Sequence, residues 1–354
     1  MAELGVAVIG AGKMGSFHAN SIERVQDARL VAIADPVPGA LQQCIGRRNI
    51  DGYTDIDDVL ARADVDAVIV AVPSRHHAPV ALRALEAGKH VLVEKPIATT
   101  MPDALRMAST ARMRGLKLMV GHVERFNPAV VAVRGMLAEG RLGQIYRLQA
   151  TRVGPLPTRI VDAGVAIDLA THDVDIMQHV VGHDISSVYA HGARFEHPSE
   201  EDILSCLLRF GEDGPLGILD VNWLTPEKRR ELSIIGEHGM LRADYITQDV
   251  HFMESPSAIN DWTDLARVRG DAEGAVIRFA LRKVEPLLAE QQAFVASVLD
   301  DTPVPVSAYD GARALASALA VRDSAINRRP IDLLDMPCDP STHQPAHLEL
   351  AIAA

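Results

Sequence analysis

Gly10-Ala11-Gly12-Lys13-Met14-Gly15 follows Leu4–Ile9, a short apolar run, and precedes residues with helical spacing. In such a turn each glycine has its own task. The first permits a tight turn, the second lets backbone approach a pyrophosphate, and the third lets the helix pack close to the strand. The N–H groups that open the helix then face the phosphates. With a strand before it and a helix after it, the spacing predicts a dinucleotide site at Gly10, Gly12, Lys13, Met14 and Gly15.

Asp35 stands at the end of the next apolar run, residues 29–34. A carboxylate there accepts hydrogen bonds from ribose hydroxyls and repels a 2′-phosphate. Pro36 follows it, with no Arg or Lys beside it, so NAD is expected as cofactor. Arg47 and Arg48, further along, leave NADP as the alternative.

Outward from this loop, the apolar runs 67–72, 90–93 and 117–120 alternate with helix-like stretches at 78–87 and 102–114. Such alternation predicts βαβ units and a parallel sheet covered on both faces. From Asn127-Pro128, an N-cap followed by proline at the first helical position, the pattern changes. Extended runs at 144–153, 187–195, 202–210, 216–224 and 231–235 are broken by Glu212-Asp213-Gly214 and Glu237-His238-Gly239. Those breaks suggest hairpins. Helices are expected at about 166–181, 276–299 (with Pro286 starting or kinking its second half) and 309–327. The expected architecture is a Rossmann domain over residues 1–122, an α+β domain with a mostly antiparallel open sheet over 123–328, and a tail from 329 to 354.

The chain carries 35 basic and 47 acidic residues, a formal net charge of −12. Nucleic-acid binding leaves a basic footprint and is not expected; an anionic substrate would need a local cationic pocket. No apolar run reaches the roughly 20 residues of a membrane helix, and no signal peptide is read at the start. Cys44, Cys206 and Cys338 are odd in number and lack CxxC spacing, as in a reduced, cytoplasmic protein. His172, His179 and His183 recur near Asp173 and Asp175 without a recognised ligand spacing, so no metal is expected.

Glu94-Lys95-Pro96, directly after the run 90–93, adds a further motif. Taken with Gly10–Gly15, His18, Val72-Pro73-Ser74, His77, the segment 121–128 and Asp168-Leu169-Ala170-Thr171-His172-Asp173-Val174-Asp175, it resembles the glucose–fructose oxidoreductase / inositol dehydrogenase / MocA family. The resemblance extends to about residue 328. Within that family, residues 121–128 and 152–159 are most similar to UDP-N-acetylglucosamine 3-dehydrogenases.

Oxidising a secondary alcohol needs a hydride acceptor, a base for the hydroxyl proton and positive charge beside the developing alkoxide. The resemblance implies that Lys95, Asp168 and His172 take these catalytic roles. It also implies that Val72, Pro73, Ser74, His77, Glu94 and Lys95 join the cofactor site. Residue chemistry agrees for the catalytic set. Lys95 follows a parallel strand at its carboxyl end, where open α/β sheets hold ligands. Asp168 and His172 are four apart in a helix-like stretch, and histidine titrates near neutral pH.

Arg125, Arg152 and Arg159 are the cations placed around the substrate, where guanidinium forks suit diphosphate or carboxylate; Asn127 joins them as a candidate. The expected reaction is NAD-dependent oxidation of the 3-hydroxyl of a UDP-aminosugar. The alternatives are a myo-inositol or free-sugar dehydrogenase and a non-catalytic NAD-binding regulator. The runs 202–210 and 216–224 are apolar on both faces, which predicts a homodimer or homotetramer.

Overall fold

All six residues of Leu4–Ile9 (β1) are buried, as a strand covered on both faces requires. The structure is a computed structural model and describes residues 3–157, 163–255 and 274–333. After β1 come Lys13–Ile22 (α1), Ala28–Ala34 (β2), Pro38–Ile45 (α2), Asp51–Tyr53 (β3), Ile56–Leu60 (α3) and Ala67–Val70 (β4). His77–Glu86 (α4), His90–Glu94 (β5), Met101–Arg114 (α5) and Leu118–Gly121 (β6) complete this region. The six strands form one parallel sheet in the order β3-β2-β1-β4-β5-β6. Its order reverses beside β1 and β4, the switch point at which doubly wound sheets hold their ligands.

The second sheet is built from Ile145–Pro155 (β7), Ile185–Ala193 (β8), Ile203–Phe210 (β9), Leu216–Asn222 (β10), Leu224–Gly236 (β11), Gly239–Asp244 (β12), Asp249–Glu254 (β13), Val276–Phe279 (β14) and Ile331–Asp332 (β15). Its order is β14-β13-β12-β11-β7-β10-β9-β8-β15. Every described pair is antiparallel except β7 with β10. Pro128–Ala138 (α6) and Ala170–Val181 (α8) bury one face of it, against Leu148, Leu208, Leu219 and Ile234 among others. On the opposite face Leu207 is 49% exposed, Leu216 47% and Tyr189 37%.

Three elements differ from the sequence expectation. The stretch expected as one helix over 276–299 divides. Val276–Phe279, rich in β-branched and aromatic residues, pairs with β13, and the helix Pro286–Leu299 (α9) begins with its proline at the first turn. The stretch expected as one helix over 166–181 also divides, into Val165–Asp168 (α7) and α8, with Leu169 between them. Ile331 and Asp332, expected in the tail, add an edge strand to β8.

The chain separates into two compact units. One contains residues 3–123 and returns for Glu285–Ala316; the other contains 124–284 and 317–333. The returning segment, expected in the second domain, is tied into the first unit by specific bonds. The Val120 N–H donates to the Val306 carbonyl at 3.1 Å, and Gln291 bonds the buried His18 of α1. The other helix in this region is Ala308–Asn327 (α10).

Candidate functional site

In the first unit, the glycine loop is held by backbone contacts that exclude side chains. A Cβ on Gly15 would lie 1.7 Å from the Gly10 carbonyl oxygen, and Gly10 itself has φ +104°. Beyond its own chain neighbours, no described atom lies within 4 Å of the place where a Cβ on Gly12 would sit. Gly12 is also the N-cap of α1, so no side chain caps that helix. An uncapped helix start beside open space suits a pyrophosphate, because its N–H groups need an acceptor and its dipole favours an anion. Lys13 and Met14 begin this helix.

Asp35 is bound into the same loop. Its Oδ2 accepts from the Ala11 N–H at 2.7 Å and its Oδ1 from the Val37 N–H at 2.8 Å. The carboxylate thereby fixes the glycine turn against the end of β2 while its remaining lone pairs stay available to hydroxyl donors. The loop and Asp35 together fit NAD.

Val72, Pro73 and Ser74 follow β4 and lead into a short 3₁₀ turn, Ser74–His76. His77, expected in the cofactor site, is 1% exposed. Its Nδ1 meets the Pro96 carbonyl at 2.7 Å and its Nε2 the Val72 carbonyl at 2.9 Å. It is a brace between the ends of β4 and β5, and burial pushes its pKa down against the two carbonyls that favour its charged form.

Lys95 is half-buried just after β5. Its N–H donates to Oε2 of Glu94 at 3.1 Å, and Oε1 of Glu94 meets His18 Nε2 at 2.8 Å. Burial opposes the Glu94 charge, but the His18 hydrogen bond and the charge of Lys95 are among the influences that outweigh it and hold the carboxyl below its usual range. His18 thus has a role, as the partner of Glu94, that its place in the sequence motif does not supply. The signal was available: Gly15, His18, Ala19 and Ile22 share the buried stripe of α1.

In the second unit, Asp168 ends α7 and His172 lies in the first turn of α8; both are half-buried. Leu169 between them keeps right-handed helical dihedrals (φ −96°, ψ −52°), and the His172 N–H donates to its carbonyl at 3.1 Å. Glu201 supports α7 from outside: its Oε1 accepts from the Ala166 N–H at 2.9 Å, supplying the cap that Gly164 cannot. Nothing in the local sequence pointed to Glu201, which comes from a loop before β9.

The cations expected around the substrate have internal partners. Arg125 grips Asp175 through Nε and Nη2 at 2.8 and 2.5 Å, and Arg152 grips Asp173 at 2.6 Å and Glu124 at 3.2 Å. Both arginines are buried. Asn127, 1% exposed, caps α6 by accepting from the Ala129 N–H and donates to Glu124 and the Tyr245 carbonyl. These three residues therefore build the second unit's polar core. Arg159 lies outside the described residues.

Burial raises the Asp173 carboxyl, Arg152 opposes that, and Glu124 adds to it. Arg230 of β11, which the sequence reading missed, extends the cluster. Its Nη1 lies 3.5 Å from Glu124 Oε1, and burial and Arg152 lower its pKa while Glu124, Asp173 and Asp168 oppose the shift. Among the described residues, no group of three or more His, Cys, Asp or Glu side chains is arranged to hold a metal ion. No helix among them is long and apolar enough to cross a membrane.

Residues 4–122 match a family model described as the oxidoreductase family with NAD-binding Rossmann fold, and residues 130–242 match the GFO/IDH/MocA C-terminal domain. The chain is similar to myo-inositol 2-dehydrogenase of Thermotoga maritima, 25% identical over 93% of this chain and 98% of that protein. It is also similar to inositol 2-dehydrogenase of Rhizobium meliloti, 28% identical over 92% and 98%. The solved structure of UDP-N-acetylglucosamine 3-dehydrogenase from Acidithiobacillus ferrooxidans superposes with a TM-score of 0.80, at 26% identity over 92% of this chain and 98% of that one.

Proposed function

Because the chain belongs to the GFO/IDH/MocA family of NAD-dependent oxidoreductases acting on CH–OH groups, we propose that it oxidises a secondary hydroxyl of a neutral cyclic polyol or sugar. The observation that carries this choice is the pairing of three buried or half-buried arginines of the second unit with carboxyls. Arg125, Arg152 and Arg230 are opposed by Glu124, Asp173, Asp175 and Asp168. A cluster of four carboxyls and three guanidiniums offers no surplus positive charge to a diphosphate, and the chain's overall charge of −12 repels one.

Bound NAD supplies the hydride acceptor. In this reading His172 takes the hydroxyl proton, Asp168 holds the imidazole or a neighbouring hydroxyl, and Lys95 opposes the charge that grows on the substrate oxygen. The glycine loop and Asp35 hold the dinucleotide.

A second reading is oxidation of the 3-hydroxyl of a UDP-aminosugar, which the Acidithiobacillus ferrooxidans relative favours. An assay of NADH formation with myo-inositol, scyllo-inositol, glucose and UDP-N-acetylglucosamine distinguishes them. Higher kcat/KM on a neutral polyol or sugar is expected. Turnover confined to the sugar nucleotide would overturn the first reading, and NAD binding without turnover of any alcohol would favour a regulator.

A further inference from the structure

Two neighbouring polar residues of α9, Glu290 and Gln291, are each 0% exposed. Both lie on the helix face that Phe294 and Val295 bury, at spacings of four. This face belongs to the segment that returns to the first unit. Burying a carboxyl and an amide in one helical turn is costly without a role for them.

Gln291 has a definite partner. Its Nε2 lies 2.8 Å from His18 Nδ1 and 3.2 Å from the His18 carbonyl oxygen. A carbonyl can only accept, so the amide nitrogen, not its oxygen, faces this residue. His18 Nδ1 is then the acceptor, and the ring hydrogen sits on Nε2, which donates to Glu94 Oε1. Glu94 in turn accepts from the Lys95 N–H. Hydrogen bonds donated from Gln291 to His18 and from His18 to Glu94 therefore converge on the Glu94 carboxylate, which the Lys95 N–H meets from the other side.

Glu290 stands beside this chain. Neither of its carboxyl oxygens has a protein hydrogen-bond partner among the described residues. Glu94, at the end of β5, is the charged group that acts on it; Glu94 itself faces His18 of α1, Lys95 and His77 of α4. Where one buried carboxyl acts on another, ionising both is disfavoured, and the one lacking donors keeps the proton. Glu94, with two donors, is the one that ionises.

We propose that Gln291 and Glu290 are positioning residues for Lys95: Gln291 locks the His18 tautomer that orients the Glu94 carboxylate, and Glu290 remains a neutral acid so that this carboxylate holds the only buried negative charge of the pair. The consequence for catalysis rests on the reading of Lys95 given above; the tautomer and the protonation state do not. Burial first, and then the Glu94 charge, raise the Glu290 pKa well above its ordinary value. The folded state then keeps a proton that the unfolded state releases, so stability falls as pH rises from the ordinary glutamate range towards the raised value.

The test uses the full chain and three readouts. Glu290→Gln, a neutral isostere of the acid, is expected to raise the thermal midpoint by ~2–4 °C at pH 8 and by less at pH 5. Gln291→Met is expected to move the His18 ring ¹⁵N resonances from a pure Nε2–H tautomer to a mixture. It is also expected to lower kcat by ~10-fold or more through misplacement of Lys95, with the NAD affinity little changed. Equal midpoint shifts at the two pH values, or a destabilised Glu290→Gln, would overturn the neutral acid. An unchanged His18 tautomer in Gln291→Met would overturn the lock. If Gln291→Met does not fold, the ¹⁵N spectrum of the wild-type ring decides the tautomer, and an Nδ1–H form overturns the proposal. Wild-type protein inactive on every alcohol would fail the functional reading alone, since the ring resonances and melting curves are read without substrate.

Discussion

Arg125 and Asp175 form a two-pronged ion pair whose side chains are only 5% and 2% exposed. Fifty residues separate them in the chain, and the pair ties the segment before α6 to the middle of α8. Removing one partner strands the other as a buried, uncompensated charge.

Arg125→Met is accordingly expected to destabilise the protein by ~3–5 kcal/mol. Arg125→Met combined with Asp175→Leu should recover most of that loss, since apolar residues of similar volume replace the pair. Urea unfolding of the three proteins checks it; a double variant no more stable than the single one would refute the account.

The glycine loop predicts opposite outcomes at two positions. Gly12→Ala should fold like the wild type, because open space receives its methyl group, yet weaken NAD binding by roughly tenfold or more where the backbone must approach the pyrophosphate. Gly15→Ala should lose stability itself, because its Cβ would overlap the Gly10 carbonyl. NADH fluorescence titration beside thermal melting separates the two effects, and tight NAD binding by Gly12→Ala would remove the pyrophosphate from this loop.

His172→Ala is expected to lower turnover by ~10²–10⁴ and to leave NAD affinity nearly unchanged. Lys95→Ala is expected to lower turnover by ~10²–10³. Steady-state kinetics on the best substrate of the panel measures both. Near-wild-type turnover of His172→Ala would make the residue structural.

The uncovered face of the nine-stranded sheet predicts self-association. Tyr189, Leu207 and Ile218 stand in register across β8, β9 and β10 on that face. Leu207→Lys combined with Leu216→Glu should shift the protein from a dimer or tetramer towards monomer in sedimentation at micromolar concentration. A wild-type protein that sediments as a monomer would refute the prediction.

Much of this architecture was legible because local signals and tertiary demands agreed. Gly10, Gly12 and Gly15 carry turn, approach and packing in one hexapeptide, and fully apolar strands such as Ala67–Val70 announce a sheet covered on both faces. The arginines were ambiguous for a physical reason. A guanidinium reads the same in sequence whether its carboxylate belongs to a ligand or to Asp175, which lies 50 positions away. His18 and Gln291 were illegible as a pair because their contact spans 273 positions. The division of the helix at Leu169 was hidden by a spacing that fits one continuous helix.

The late return of Glu285–Ala316 to the first unit constrains how the protein emerges from the ribosome. A nucleotide-binding half that ended at residue 123 could close as soon as it cleared the exit tunnel. Here it must wait for α9. At ~5–20 residues per second, the intervening stretch takes roughly 8–30 s to synthesise. Throughout that interval the face of α1 that carries His18 has no Gln291 to meet. Nascent chains arrested before residue 285 should therefore be protease-sensitive in a half whose six strands have all been made, and that window is when a chaperone has most to protect.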